Sequence, residues 1–354
     1  VFERNNERRG LTAISTLQSA SKYQLSGESL DRFRVTEEVT PNFSWSGGQL
    51  ILLSNSDHEA QAIDMDSLDA ALDIGRPYVR LLSGNWIALS EKWFARYAVR
   101  LREILRAQAQ HQELPRSFIP EIIEIADENS QSVNGLEHFR ERLKNYQLPS
   151  YDVLPDQLQS MARSYQTEGI AWLNAMRELG LGAMLADDMG LGKTLQALAI
   201  IRGKTLVVAP TSVLFNWTEQ AKRFRPGLRT CLYHGPQRFL DANADLILTS
   251  YSLLRLDCDI LCEESWDMAI LDEAQQIKNP NSQIAQAAHR LQANFHLSLT
   301  GTPVENSLSD LWSQFHFIAP GLLGTRTSFK ERFAAPIAQG DQAAQEDLKR
   351  RVTP

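Results

Sequence analysis

The sequence predicts an α/β protein: a parallel sheet with helices on both faces, preceded by a small α+β domain. Three observations predict it. Past Pro155, short apolar strands alternate with amphipathic helices as far as Phe317. The stretch Met184–Thr194, MLADDMGLGKT, packs an apolar lead-in, a Gly-Leu-Gly bend and a Lys-Thr pair into one turn. The stretch Trp266–Gln275, WDMAILDEAQ, is an apolar strand that ends in two adjacent carboxylates.

The front half, 1–150, carries the α+β reading. Its first thirty residues are polar and Ser-rich and give only a weak helix-then-loop pattern. Arg32–Thr36 alternates polar and apolar residues, and Gln49–Leu53 is a second strand candidate after the break at Gly47-Gly48. Glu59–Leu72 suits a helix through Ile63, Leu68, Ala71 and Leu72. Tyr78–Leu82 and Trp86–Leu89 flank Ser83-Gly84-Asn85 and predict a hairpin. Glu91–Gln108 follows as an amphipathic helix with Trp93, Tyr97, Leu101, Ile104 and Leu105 on one face. An aromatic row at that spacing reads as core rather than as a base-stacking surface. Pro115, Pro120 and the polar Asn129–Gly135 punctuate the chain before a short helix over Glu137–Tyr146. Pro149 and Pro155 bracket a linker, which puts the domain boundary between 150 and 151.

In the second half, 151–354, strands are expected at Ala183–Ala186, Thr205–Ala209, Arg229–Tyr233, Asp245–Thr249, Met268–Leu271 and Phe295–Leu299. Helices are expected at Lys193–Ile201, Val213–Phe224, Ser282–Leu291 and Ser307–Phe317.

Composition sets broad bounds. A chain of 354 residues, 43% hydrophobic and 22% charged, suffices for about two domains with ample cores. The formal net charge of -7 argues against tight nonspecific nucleic-acid binding by this piece alone and leaves a locally basic groove open. Cys231, Cys258 and Cys262 lack a C-x-x-C pair and a fourth ligand, so buried reduced thiols are expected over zinc, in a reducing compartment. No apolar run reaches the ~18 residues that span a bilayer, and no signal peptide is visible. The chain opens on Val1 rather than Met and stops at Pro354 within EDLKRRVTP, so it reads as a fragment.

The Gly-rich turn has the chemistry of a phosphate site. Glycines let backbone N–H groups crowd around the oxygens, Lys193 supplies a point charge, and Thr194 offers a hydroxyl to Mg2+. The helix expected from Gly192 aims its positive end at the same place. Asp187 stands where the common phosphate-loop pattern asks for glycine. Downstream, the carboxyl end of a parallel strand is where ligands bind. Asp272 would hold Mg2+ through water opposite Thr194, and Glu273 would face the lytic water as general base.

The ordered set YQ, DDMGLGKT, APTSVLFNW, TSY, DEAQ and LTGTP resembles the first motor lobe of the Swi/Snf-type superfamily-two ATPases, over Leu158 to about Pro336. Asp187 is normal for that family. DEAQ followed by QIKNP, then FIAPGLLG and SFKERFAAPI, is most similar to the bacterial branch. The segment from Trp45 through YVRLLSGNWIAL weakly resembles the accessory region ahead of the motor there. The resemblance implies a RecA-like lobe that binds ATP and Mg2+ and belongs to a double-stranded-DNA translocase remodelling protein–DNA complexes.

Residue by residue, it implies that Gln166 reads the adenine edge, although Ala162 and Ser164 stand where the family usually has Leu and Pro. Asp188, Gly190, Leu191, Gly192, Lys193 and Thr194 would surround the phosphates, with Thr194 and Asp272 on the metal. Glu273 would serve the water, and Gln275 would link the nucleotide to the nucleic-acid side. Thr211, Ser212, Asn216, Thr249 and Tyr251 would track phosphate oxygens, while Thr300, Thr302 and Asn306 couple nucleotide state to strand grip. Plainer roles stay open: Thr211 or Ser212 as cap of a helix beginning near Val213, Ser307 as cap of the next, and Trp217 as core beside Phe215, Ala221 and Phe224.

The implied partners are double-stranded DNA and a second RecA-like lobe supplying arginines to the ATP site. Two other functions remain open: a strand-separating DNA or RNA helicase, and an ATP-gated binding module for a partner such as RNA polymerase. No membrane is implied. The location would be the bacterial cytoplasm at the nucleoid, or the nucleus if the source is eukaryotic. Residues 1–354 alone are expected to bind nucleotide weakly and to show no DNA-stimulated hydrolysis.

Overall fold

A computed structural model describes residues 38–54, 60–110, 113–144, 158, 161–188, 190–302 and 307–352. The chain divides into two compact units, Val1–Asn145 and Tyr146–Pro354.

The first unit is α+β. Strands β1 (Glu38–Val39), β2 (Asn42–Ser46), β3 (Gln49–Ser54), β4 (Gln61–Ala62), β5 (Tyr78–Arg80) and β6 (Trp86–Leu89) form two three-stranded sheets, ordered β2-β3-β4 and β1-β6-β5. The expected hairpin is β5–β6, antiparallel with Val79 opposite Ile87. Helices α1 (Met65–Ile74), α2 (Glu91–Gln110), α3 (Ile119–Glu128) and α4 (Glu137–Lys144) complete the unit. The whole expected face of α2, Trp93, Tyr97, Leu101, Ile104 and Leu105, is buried in one core with Phe43, Leu50, Leu52 and Ile122.

Three local expectations change. The helix expected from Glu59 starts at Met65, because Gln61–Ala62 pairs with β3 and the Asp64 carboxylate caps the helix by accepting the Asp66 N–H. Gly47-Gly48 does not merely precede a strand. Both take positive φ, 58° and 75°, and turn β2 back onto β3 as a two-residue hairpin loop. Pro120 does not break the chain. It sits in the first turn of α3, where a missing N–H costs no helical hydrogen bond. The strand expected over Arg32–Thr36 and the linker around Pro149 and Pro155 lie outside the described residues.

The second unit holds one sheet of six strands: β7 (Ala183–Leu185), β8 (Thr205–Ala209), β9 (Thr230–Leu232), β10 (Leu246–Ser250), β11 (Trp266–Asp272) and β12 (Ala293–Leu299). Their order is β7-β12-β11-β8-β10-β9, and every pairing is parallel. All five residues of β8 and of β10 are buried, as expected for strands covered on both faces. The flanking helices are α5 (Ser164–Leu179), α6 (Lys193–Ala199), α7 (Thr211–Phe224), α8 (Tyr251–Leu256), α9 (Cys258–Glu263), α10 (Gln283–His289) and α11 (Leu308–Ile318). Further helical turns run from Arg326 to Ala338, and a last helix covers Gln342–Val352. Because every strand runs the same way, all six carboxyl ends share one edge, with β11 between β12 and β8. Among the described residues, no helix is long and apolar enough to cross a membrane.

Candidate nucleotide site

The loop after β7 returns the chain to α6 through Gly190 and Gly192, at φ 85° and 79°. These values lie in the left-handed region, where a Cβ would be strained. Lys193 opens α6 and turns its ammonium back into the loop, donating to the carbonyls of Asp187 at 2.6 Å and Asp188 at 3.0 Å. Thr194 follows it, half-buried, and Asp188 is exposed.

Gln166, in the first turn of α5, grips this loop. Its Oε1 accepts the Arg163 N–H at 3.0 Å, and its Nε2 donates to the Leu191 carbonyl at 3.0 Å. The Tyr165 hydroxyl donates to the same carbonyl at 3.1 Å. The carboxamide packs so closely that a Cβ on Gly192 would stand 2.3 Å from its nitrogen.

Opposite, β11 delivers Asp272 and Glu273. Glu273 takes φ 52°, a left-handed conformation for a non-glycine residue. Such backbone strain persists where the surroundings over-determine it, as at functional sites. Asp272 is held on three sides. Its Oδ2 accepts the Trp217 indole N–H at 2.7 Å, its Oδ1 accepts the Glu273 N–H at 3.0 Å, and its carbonyl accepts the Tyr251 hydroxyl at 2.8 Å. Burial pushes the Asp272 carboxyl above its usual range and the Glu273 charge adds to this, while the Trp217 bond and the Lys193 charge oppose it. Burial, with the charges of Asp272 and Glu273, raises the Tyr251 hydroxyl well above its ordinary value, which keeps it a donor.

A chain of hydrogen bonds then crosses to β12. Gln275 Nε2 donates to Glu273 Oε2 at 2.7 Å, and Gln275 Oε1 accepts the Thr300 hydroxyl at 3.1 Å. Thr300 Oγ1 in turn accepts the Thr302 N–H at 3.1 Å. Thr300 is fully buried and Thr302 is exposed.

The remaining candidates divide. Thr211, Ser212 and Asn216 are exposed on α7. Neither hydroxyl caps that helix, because its cap position is Pro210 and makes no side-chain bond. Ser307 does cap α11, in a reciprocal box with Asp310. Trp217 is core, with no exposed surface, whereas its neighbour Phe215 is 62% exposed. Thr249 is fully buried, and its hydroxyl donates to the Tyr233 carbonyl at 3.1 Å. Asn306 lies outside the described residues. Cys258 and Cys262 are buried thiols with Sγ atoms 2.9 Å apart, and burial pushes Cys262 up to about 12.

The sequence placed Tyr165 in the YQ motif without a role for it, and showed neither of the bonds from Trp217 and Tyr251 to Asp272. Trp217 closes the motif APTSVLFNW, where the sequence favours core over a nucleic-acid contact, and it stands 55 residues from its partner.

The donor set fits a magnesium nucleotide. A lysine ammonium and a bend of positive-φ glycines lie at a helix start, and a half-buried carboxylate feels the lysine charge. Fold and site together define a RecA-like, phosphate-loop ATPase lobe. The chain belongs to the family of the SNF2-related domain, whose model matches residues 165–354, more than half of its length.

It is 43% identical over 206 residues to YwqA of Bacillus subtilis (strain 168), named an ATP-dependent helicase/translocase, covering 54% of this chain and 22% of that protein. It is 36% identical over 214 residues to the TATA-binding protein-associated factor MOT1 of Saccharomyces cerevisiae, covering 52% of this chain and 11% of that one. The Sulfolobus solfataricus SWI2/SNF2 ATPase core in complex with dsDNA superposes with a TM-score of 0.54 at 41% identity, over 58% of this chain and 45% of that one. The chain thus spans about a fifth of YwqA and a tenth of MOT1.

Proposed function

We propose that this chain provides the ATP-binding first lobe of a double-stranded-DNA translocase that remodels protein–DNA complexes. The observation that carries the reading is the meeting, at one sheet edge, of the Lys193 loop and the Asp272-Glu273 strand end. Gln275 ties that strand end to Thr300.

Lys193 and the loop N–H groups bind the β- and γ-phosphates. Thr194 and Asp272 hold Mg2+, which when bound neutralises phosphate charge. Glu273 orients the attacking water and takes its proton. The Gln275 amide keeps the Glu273 carboxylate in place, and through Thr300 links its position to the backbone at Thr302.

Two comparisons support duplex DNA as partner: the archaeal core described in complex with dsDNA, and the helicase/translocase name of YwqA. The exposed Thr211, Ser212 and Asn216 on α7 offer hydroxyl and amide contacts suited to phosphate oxygens. By the same resemblance, a second lobe would complete the ATP site with arginines, and the protein would work in the bacterial cytoplasm on the nucleoid, or in the nucleus if the source is eukaryotic.

The test is ATP turnover by the intact protein with and without duplex DNA, alongside Lys193→Ala. DNA-stimulated turnover that vanishes in Lys193→Ala is expected. Turnover indifferent to DNA, or preserved in the variant, refutes the reading. In a parallel assay on forked duplexes, strand displacement would make the protein a helicase instead.

A further inference from the structure

Trp217 is a buried aromatic whose one polar atom is aimed at the ATP site. It has no exposed surface, and its Nε1–H donates to Asp272 Oδ2 at 2.7 Å. The other residues on the buried face of α7, Leu214 and Ala221, are apolar, so packing alone does not call for a polar group there. An ionised carboxylate offers about four lone-pair directions. Trp217 takes one on Oδ2 and the Glu273 N–H takes one on Oδ1, at 3.0 Å. One donor on each oxygen fixes the plane of the group and leaves a lone pair on each for a ligand. A rigid bicyclic ring, enclosed on all sides, gives its N–H a single direction.

We propose that Trp217 is a positioning residue for nucleotide-bound metal: its indole N–H sets the carboxylate of Asp272 in the orientation that holds the divalent cation of the magnesium nucleotide. The proposal rests on the reading of Asp272 as the metal carboxylate. Outer partners of this kind typically change metal affinity by ~10–100-fold when removed. The effect should therefore show in binding that depends on the metal and be absent from binding that does not.

The decisive variant replaces Trp217 with benzothienylalanine, which keeps the bicyclic shape and puts sulfur where the N–H was. Trp217→Phe is the second variant. Affinity for a fluorescent, non-hydrolysable ATP analogue is measured for the intact protein in excess Mg2+ and again in EDTA. Leu214→Ala, on the same buried face, is the packing control, and Asp272→Asn is the metal control.

The benzothienyl variant is expected to lose ~10-fold or more in Mg2+ and nothing in EDTA. Leu214→Ala should lower the melting temperature without changing the ratio of the two affinities. If Asp272→Asn shows the metal-specific loss and the benzothienyl variant shows none, or loses equally in both buffers, Trp217 is core alone and the proposal is overturned. If Asp272→Asn itself shows no metal-specific loss, the metal assignment fails first and takes this proposal with it.

Discussion

Gly192→Ala tests how tightly the phosphate loop is built. At φ 79° and ψ 33° an alanine would be forced into left-handed backbone, at a cost of roughly 1–2 kcal/mol. Its Cβ would also stand 2.3 Å from Gln166 Nε2. That atom is the end of a side chain, so it would move and give up its 3.0 Å bond to the Leu191 carbonyl, worth about 1 kcal/mol. The expected destabilisation is about 2–3 kcal/mol, read from urea unfolding of the nucleotide-binding unit. The two causes separate in a double-mutant cycle. In a Gln166→Ala background the backbone cost remains while the clash and the lost bond are already gone, so Gly192→Ala should then cost ~1–2 kcal/mol. A Gly192→Ala cost that is unchanged by Gln166→Ala would refute the claim that Gln166 and the loop are in mutual contact.

Three further expectations follow from the geometry. Glu273→Gln should keep nucleotide binding and lose hydrolysis, because an amide cannot take the proton from water; a filter-binding assay should find ATP retained, and rapid turnover would remove the general-base role. Tyr251→Phe should cost about 1–3 kcal/mol by leaving the Asp272 carbonyl without its donor, while the salt dependence of DNA binding stays that of the parent; a shallower salt slope would show that the hydroxyl touches phosphate. Burial holds His316 neutral, with a pKa pushed down to about 4 from 6.5, and the neighbouring His289 adds to the shift. Below pH 6.5 the unfolded chain therefore takes a proton that the native state refuses until about 4, so stability should fall with pH across that window by ~1.4 kcal/mol per unit for this group. His316→Phe should remove that share of the slope in urea titrations at pH 7 and pH 5, and identical slopes would contradict it.

What could be read in the sequence follows from physics that acts locally. Strands β8 and β10 are buried on both faces, so each carries a continuous apolar stretch, Leu206–Ala209 and Leu246–Leu248, and their ends fall within one residue of expectation. The loop at Lys193 was visible because Gly, Lys and Thr are needed within one turn, and β11 because an apolar run stops at Asp272-Glu273. Short polar strands gave no such signal. Asn42–Ser46 contains two serines and an asparagine, and its strand exists because Gly47-Gly48 returns it to β3. Pro120 misled because the same ring that breaks a helix interior is welcome in its first turn. The Trp217–Asp272 bond was invisible in principle: it joins a residue on the helix after β8 to the end of β11, and only the strand order makes them neighbours.

The triplet Thr249-Ser250-Tyr251 shows how a resemblance and a structure can assign different work to the same residues. Family likeness implies that Thr249 and Tyr251 track a nucleic-acid strand. In the fold, each of the three side chains already has a partner. Thr249 donates to the Tyr233 carbonyl just past β9, Ser250 caps α8 by accepting the Leu253 N–H at 3.3 Å, and Tyr251 donates to the carbonyl of Asp272. Burial of Thr249 at 0% and of Tyr251 at 5% exposure leaves little of either to meet a ligand directly. The triplet ties the end of β10 outward to the β9 edge and inward to the carboxylate of β11. A strand gripped near this loop would therefore act on the nucleotide site through backbone position rather than through these hydroxyls. The carbonyl bond of Tyr251 and the indole bond of Trp217 then hold Asp272 from the two elements that follow β10 and β8.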